Sequence, residues 1–380
     1  MLPYLHIVDT TLRDGEQMPG TSFTGDEKMD LVRRLADAGI DEIEAGIPAM
    51  GVCECAFLHK VAEAALPCRV TVWCRATEAD IAAAAATGVK GIHLSIPTSD
   101  IHLETMDRTR DWARDTLQRV LGVARPSFEF VSVGAQDASR ADLDFLIDLA
   151  RISAAAGAER FRLADTVGIW TPSRIAETVG ELVTEVPDIG IGVHTHNDLG
   201  MATANAVSAV EAGARYVDTT VNGIGERTGN ASLAEVAMAV QVADIARIGV
   251  DPRHLRLLSR RVTECSGVPL PINAPILGRN AFRHESGIHV KAQLRNRAAY
   301  EPFDPSLLGD TPTGSAPDIV IGKHSGSCAL QHVLGDCGIL VSSTTATDLL
   351  PHVRRAAEMR RRCLTPGELL SLYRQAVTTH

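Results

Sequence analysis

The 380-residue sequence has no run of eighteen or more apolar residues; even the alanine stretch Ala82 to Ala86 is cut short by Thr87-Gly88. A bilayer-spanning helix needs about 20 such residues, so none is expected. Aromatic residues make up only 4% of the chain, too few for a platform on which bases stack. Positive charge is also scarce: the formal net charge is -10, and without a concentrated basic patch such a chain repels phosphate backbones. The sequence holds no such patch, and no nucleic-acid partner is expected. Small anionic substrates stay open, because a bound cation and a few arginines reverse the local field of an acidic protein. No apolar stretch precedes the polar chemistry that begins at Asp9, so no secretory signal is expected and the chain is assigned to the cytoplasm. The eight cysteines fall at irregular spacings, and neither Cys53-x-Cys55 nor any other pair has a second pair at zinc-ribbon distance. Free, buried thiols are the expectation.

What is there is repetition. From residue 5 to about 247, short β-rich runs alternate with stretches of helical period, the pattern of successive βα units. Eight strands are predicted, near 5–9, 41–46, 69–74, 90–95, 127–133, 159–164, 189–195 and 214–221. From Asp26 to Ala38 apolar residues recur at three and four positions, and Gly39 closes the run; Gly88, Gly157 and Gly213 close others, where a left-handed turn is needed. An open doubly wound sheet usually carries a Gly-rich phosphate loop after its first strand. Here that loop reads Asp9-Thr-Thr-Leu-Arg-Asp-Gly-Glu-Gln, which is charged. The expected fold is therefore α/β, a (β/α)8 TIM barrel over residues 1–250, the usual size of such a barrel being roughly 250 residues. Beyond it, residues 251–380 read as a mostly helical C-terminal region without clear strands, interrupted by Pro269, Pro271 and Pro275. A turn-rich linker is expected near 303–318.

The strongest chemical signal is His194-Thr195-His196-Asn197-Asp198. Side chains two apart on a strand share a face, and the C-terminal ends of barrel strands carry the active site. Asp14, expected at the end of the first strand, would lie near them once the barrel closes. Two imidazoles and one carboxylate suit Zn²⁺, Mn²⁺ or another divalent ion with positions left for substrate. Taken singly, a His-x-His pair is more often a surface accident, and Asp14 could be an ordinary loop or N-cap carboxylate; the neighbours Arg13, Glu16 and Gln17 argue against so plain a turn. In Asn222-Gly-Ile-Gly-Glu-Arg-Thr-Gly-Asn230, the glycines allow backbone close to a ligand. Asn230 either caps the next helix or touches the metal, and Glu226 and Arg227 are expected to pair. Asp165 and Thr166 place a carboxylate and a hydroxyl on the same rim, as ligands or as loop structure.

Together these segments resemble the metal-dependent acyl-CoA Claisen-condensing enzymes, the group of isopropylmalate, citramalate and homocitrate synthases. The motifs are Arg13-Asp-Gly-Glu-Gln17, His194-Thr-His-Asn-Asp198, Asn222 to Asn230 and His284-Glu-Ser-Gly-Ile-His289, and the resemblance spans residues 6 to about 330. Glu44-Ala-Gly-Ile-Pro-Ala-Met-Gly, Trp73-Cys-Arg-Ala and Asp137-Ala-Ser-Arg-Ala-Asp look like the homocitrate synthases of nitrogen-fixing bacteria. The resemblance implies a divalent cation (Zn, Mn or Mg) on Asp14, His194, His196 and Asn230, with Arg13 polarising a keto oxygen. It implies Thr166 as the holder of a substrate carboxylate, and Gln17 and His93 as pocket residues. It also implies that His289 and Tyr300 assist the chemistry across a homodimer, completing the partner's site. Acetyl-CoA and a 2-oxo acid, 2-oxoglutarate first, are the implied substrates; homocitrate and CoA are the products.

Two departures matter. Where the family commonly has Glu-Asp, this chain reads Gln136-Asp137, and a neutral amide cannot take a proton. With Gln136 at that catalytic position, His289 or a water at the metal carries more of the base's role. The lysine-pathway homocitrate synthases have an Arg before that Glu for the far carboxylate, whereas this segment reads Val131-Ser-Val-Gly-Ala. Arg75 or Ser95 is expected to take its place. The alternatives are 2-isopropylmalate or citramalate synthase and a retro-aldol lyase on the same barrel. The first usually carries a leucine-sensing C-terminal domain, for which the residues after Pro351 leave no room.

Overall fold

The structure, a computed structural model, describes residues 2–309 and 318–378. The chain divides into two compact units, Met1–Leu270 and Pro271–His380.

The first unit is built on eight parallel strands, β1 (His6–Asp9), β2 (Glu42–Glu44), β3 (Arg69–Arg75), β4 (Gly91–Pro97), β5 (Phe130–Gln136), β6 (Arg160–Asp165), β7 (Gly190–Thr195) and β8 (Tyr216–Thr219). They close in chain order, with β1 registered on β8 from His6↔Tyr216 to Asp9↔Thr219. This is the (β/α)8 TIM barrel expected. Ten helices accompany the strands: α1 (Gly25–Asp37), α2 (Val52–Glu63), α3 (Glu78–Ala86), α4 (Asp100–Thr105), α5 (Arg110–Ala124), α6 (Leu143–Ala155), α7 (Pro172–Glu185), α8 (Ala202–Glu211), α9 (Leu233–Val242) and α10 (Leu255–Ser266). Thr24 starts α1 with a reciprocal cap on Glu27, and Leu31, Val32 and Leu35 bury its inner face, satisfying free N–H groups at one end and the apolar stripe along one side. Gly39, Gly88, Gly157 and Gly213 adopt positive φ of 80°, 79°, 80° and 108°, as expected of helix-ending turns. The unit runs past residue 250 because α10 belongs to it: Arg261 pairs with Asp30 of α1 at 2.7 Å, and Asn222 donates to Ser259 O at 3.0 Å.

The apolar core lies between strands and helices; the barrel's interior is charged. On β2 and β6, Ile43 and Phe161 face outward while Glu42, Glu44, Arg160 and Arg162 alternate with them and meet across the lumen. Arg160, fully buried, holds Glu42 at 2.8 and 3.1 Å and Ser132 at 2.8 Å; Arg162 reaches Glu44 at 2.8 Å and Asp218 at 2.6 Å. Buried charges persist only when paired and hydrogen-bonded, and here each guanidinium finds carboxylates on strands opposite.

The second unit contains α11 (Gly287–Gln293), α12 (Ser327–Asp336), α13 (Ser343–Arg360) and α14 (Pro366–Thr378). Its core gathers Leu330, Leu334, Leu349, Val353, Leu364 and Leu369. The expectation of no strands here is corrected: β9 (Arg283–His284) and β10 (Asp318–Ile319) pair in parallel. Two residues each are too few to show an alternating pattern. Of the expected linker, Pro305–Leu308 forms a helical turn with Pro305 and Leu308 buried, and residues 310–317 lie outside those described. All eight cysteines are free thiols, but only Cys74 is buried, and Cys53 and Cys337 are exposed. Among the described residues no helix is long and apolar enough to cross a membrane.

Candidate metal centre

At the C-terminal mouth of the barrel, ligand atoms of Asp14, His194 and His196 lie within 4.8 Å of one another, all three side chains buried. His194 sits on β7 and His196 just past it, bridged through its backbone to Asn230. Their Nε2 atoms stand 3.2 Å apart, and Asp14 Oδ2 lies 3.5 and 3.9 Å from them. Asp14 is not at the end of β1, as expected, but in the loop beyond it, at the start of the short helical turn Gly15–Gln17, with no side-chain capping bond. Its carboxylate is thus free for other work.

Beneath these groups runs a ring of charge. Arg13 gives Nη1 to Asp14 at 2.6 Å and Nε to Glu44 at 2.5 Å; Glu44 accepts from Arg162, Arg162 meets Asp218, and Asp218 accepts from His194 Nδ1 at 3.0 Å. The ring holds three carboxylates and two guanidiniums, so a neutral His194 leaves it one negative charge in excess. Burial alone would raise the Asp14 pKa, but Arg13 and then His194 reverse this and hold it well below the usual carboxylate range. Burial opposes protonation of His194 too, yet the hydrogen bonds to Asp14 and Asp218 raise its pKa. His196 has only Asp14, at 3.9 Å, to favour its charged form, and burial with the adjacent His194 outweighs it and pushes the pKa down to about 4.

The donor set fits a divalent cation. With Nδ1–H committed to Asp218, His194 presents its Nε2 lone pair to the site. Asn230 donates Nδ2–H to Asp14 Oδ1 at 2.7 Å and to Ile224 O at 3.1 Å, while its buried Oδ1 has no partner, leaving a fourth oxygen to share. Asn230 does not cap α9; Ser232 holds that position. Gly225 makes room, since a Cβ there would meet Asn230 Nδ2 at 2.1 Å and Asp14 Oδ1 at 2.7 Å.

The other expected residues distribute unevenly. His93 is buried on β4, with Nδ1 2.9 Å from Ser132 Oγ and its pKa driven well down by burial and by Arg162 and Arg160. Ser95 and Gln136 are half-buried near the strand ends. Thr166 Oγ1 accepts the Asp137 N–H at 2.9 Å, and Asp165 accepts N–H groups of Ile169 and Trp170, a loop-building role. Gln17 is exposed. Arg75 is not turned toward the metal ligands; its guanidinium holds Asp80 at 2.8 and 3.0 Å, and its side chain is 65% exposed. Arg227 does not pair with Glu226 but grips Asp198 at 2.7 and 2.8 Å and Thr166 O at 2.7 Å. In the second unit, His289 and Tyr300 stack with centroids 3.9 Å apart. Sequence reasoning missed Glu44, Arg162 and Asp218 as supports of the site. The signal was present in Glu42-Ile-Glu44 and Arg160-Phe-Arg162, two strands of opposite charge at alternate positions.

A closed parallel barrel with a buried two-histidine, one-aspartate cluster at its mouth defines a TIM-barrel protein with a candidate metal centre. Residues 4–262 match the HMGL-like family and residues 276–361 the homocitrate synthase post-HMGL domain-like family; the chain belongs to the HMGL-like family. It is 44% identical over 374 residues to 2-isopropylmalate synthase 2 of Caldanaerobacter subterraneus subsp. tengcongensis, covering 98% of this chain and 96% of that one. A homocitrate synthase of Frankia sp. is 42% identical over 363 residues, 95% of this chain and 88% of that one. Among solved structures, a hydroxymethylglutaryl-CoA lyase from Pseudomonas aeruginosa gives a TM-score of 0.63 at 23% identity, over 71% of this chain and 95% of that one, a likeness of fold. The length argument against 2-isopropylmalate synthase falls, because the Caldanaerobacter protein is matched along nearly its whole length.

Proposed function

We propose that the protein is a metal-dependent acyltransferase that condenses acetyl-CoA with a 2-oxo acid, and that the acid is 2-oxoglutarate, giving homocitrate and CoA for nitrogenase cofactor assembly. The observation that carries the reaction class is the convergence of Asp14, His194 and His196 with an unpartnered Asn230 Oδ1. A divalent cation held there supplies Lewis-acid polarisation of a ketone. Arg13 keeps one nitrogen, Nη2, without a partner among the described residues, and in this reading it donates to the keto oxygen as negative charge develops. Thr166 holds the adjacent carboxylate. In a homodimer, His289 of one chain, stacked on Tyr300, takes a methyl proton from acetyl-CoA at the partner's centre; the resulting carbanion forms a bond to the keto carbon, whose oxygen takes up a proton, and water then cleaves the thioester, releasing CoA. Gln136 cannot serve as that base and instead orients substrate. The chain is read as a cytoplasmic homodimer.

A 2-isopropylmalate synthase is the second reading, favoured by the Caldanaerobacter relative and by the commitment of Arg75, Arg140 and Arg227 to Asp80, Asp137 and Asp198. Arg75 serves a distal carboxylate only by leaving Asp80, whose side chain is 3% exposed, and a buried carboxylate stripped of its cation is destabilised. A panel of 2-oxo acids with acetyl-CoA, followed by release of free CoA, decides. Preference for 2-oxoglutarate is expected; preference for 2-oxoisovalerate overturns the homocitrate assignment, and no release with any acid overturns the reaction class.

A further inference from the structure

In the second unit a buried glutamine links an ion pair to a histidine beside the His289–Tyr300 stack. Gln293 ends α11 with its side chain 2% exposed. Its Nε2 lies 2.9 Å from His284 Nε2 and 3.3 Å from Glu301 Oε1. Glu301 is itself held by Arg297, with contacts of 2.8 to 3.1 Å. Glu301 decides which way the amide points: turned over, Gln293 would set its carbonyl oxygen against a carboxylate, two acceptors with no proton between them. The cost of the observed orientation is a buried Gln293 Oε1 without a partner. An amide nitrogen only donates, so His284 Nε2 must accept, and the imidazole carries its proton on Nδ1.

His284 stands edge-on to His289, with centroids 6.0 Å apart and planes at 61°. We infer that Gln293 is a positioning residue, holding His284 as the neutral Nδ1–H tautomer so that His289 alone exchanges protons in the His289–Tyr300 pair. This rests on the role given to that pair above. The groups acting on His284 are Glu301, His289, Arg297 and Asp318, and burial, the largest influence, lowers its pKa, in keeping with a ring that stays uncharged. A second protonated imidazole beside His289 would repel the proton His289 must accept.

The test is imidazole ¹⁵N NMR on the full chain, with steady-state kinetics. In the unaltered protein His284 should show a protonated Nδ1 and a bare Nε2. Gln293→Met, which keeps the volume and removes the donor, should move the ring toward the Nε2–H form. It should also lower kcat about tenfold with KM for both substrates nearly unchanged, as for a group acting on the chemical step. Glu301→Gln, which frees the amide to turn, should give mixed tautomers. An Nε2–H ring in the unaltered protein overturns the inference, as does a Gln293→Met variant with unchanged tautomer and turnover. His289→Ala, measured alongside, separates the two levels: full turnover there sinks the proton-transfer reading, while the His284 tautomer, read without turnover, still decides the role of Gln293.

Discussion

Asp218 Oδ2 accepts a hydrogen bond from Nδ1 of His194 at 3.0 Å, and both side chains are buried. That bond selects the tautomer which presents Nε2 to the candidate centre. Carboxylates of this kind typically contribute 10–100-fold to metal affinity. Asp218→Asn should therefore weaken Zn²⁺ or Mn²⁺ binding by roughly that factor, measured by competition with a chromogenic chelator. Unchanged affinity would mean that something other than Asp218 orients the ring.

Gly225 backs directly onto Asn230 and Asp14. A methyl group there must displace one of them, so Gly225→Ala should lose bound metal while the barrel stays folded. Metal content by elemental analysis, beside a far-ultraviolet circular dichroism spectrum, reads both. A variant with full metal content would show that the loop gives way more easily than these distances allow.

Arg160 is fully buried between Glu42 and Ser132. Removing one member of a buried pair costs about 3–5 kcal/mol; here Arg69 at 3.1 Å and Thr71 at 2.9 Å remain on Glu42, which favours the lower end of that range. Arg160→Met should lower stability to urea by about that much, and adding Glu42→Gln should recover part of the loss. A single-variant effect below about 1 kcal/mol would contradict this account of the lumen.

Burial raises the Asp9 pKa from 3.8 to about 7, against the opposing hydrogen bonds from Thr11. The native state therefore keeps a proton that the unfolded chain has released. Below about pH 4 both states are protonated and the group contributes nothing; between pH 4 and 7 stability falls as pH rises, by roughly 4 kcal/mol in all, and above 7 the loss levels off. Asp9→Asn should flatten that part of the urea-midpoint profile relative to the unaltered chain. Parallel profiles for the two proteins would rule it out.

How much of this was legible beforehand varies with the kind of interaction. Strand runs recur eight times and helix-ending glycines punctuate four of the units, so β3 and β7 begin within one residue of their predicted starts. The His194–His196 convergence follows from strand alternation alone. Asp14 was harder, because a loop has no period, and its placement depends on Arg13 and Glu44, a partner from another strand. Glu44 and Asp218 carry no local sign of facing each other through Arg162; only closure of the barrel brings them together. Arg75 and Arg227 illustrate the reverse difficulty: a sequence shows a cation but not that Asp80 or Asp198 already holds it.

Asn230 and Asp14 touch although 216 residues separate them, and they meet only where β8 pairs with β1. The ability to capture an ion is therefore acquired late and all at once, when the final seam of the cylinder seals. A chain halted during synthesis before Tyr216 would hold His194, His196 and Asp14 but neither that seal nor Asn230. Ion uptake by the growing polypeptide would then report completion of the ring rather than its gradual assembly.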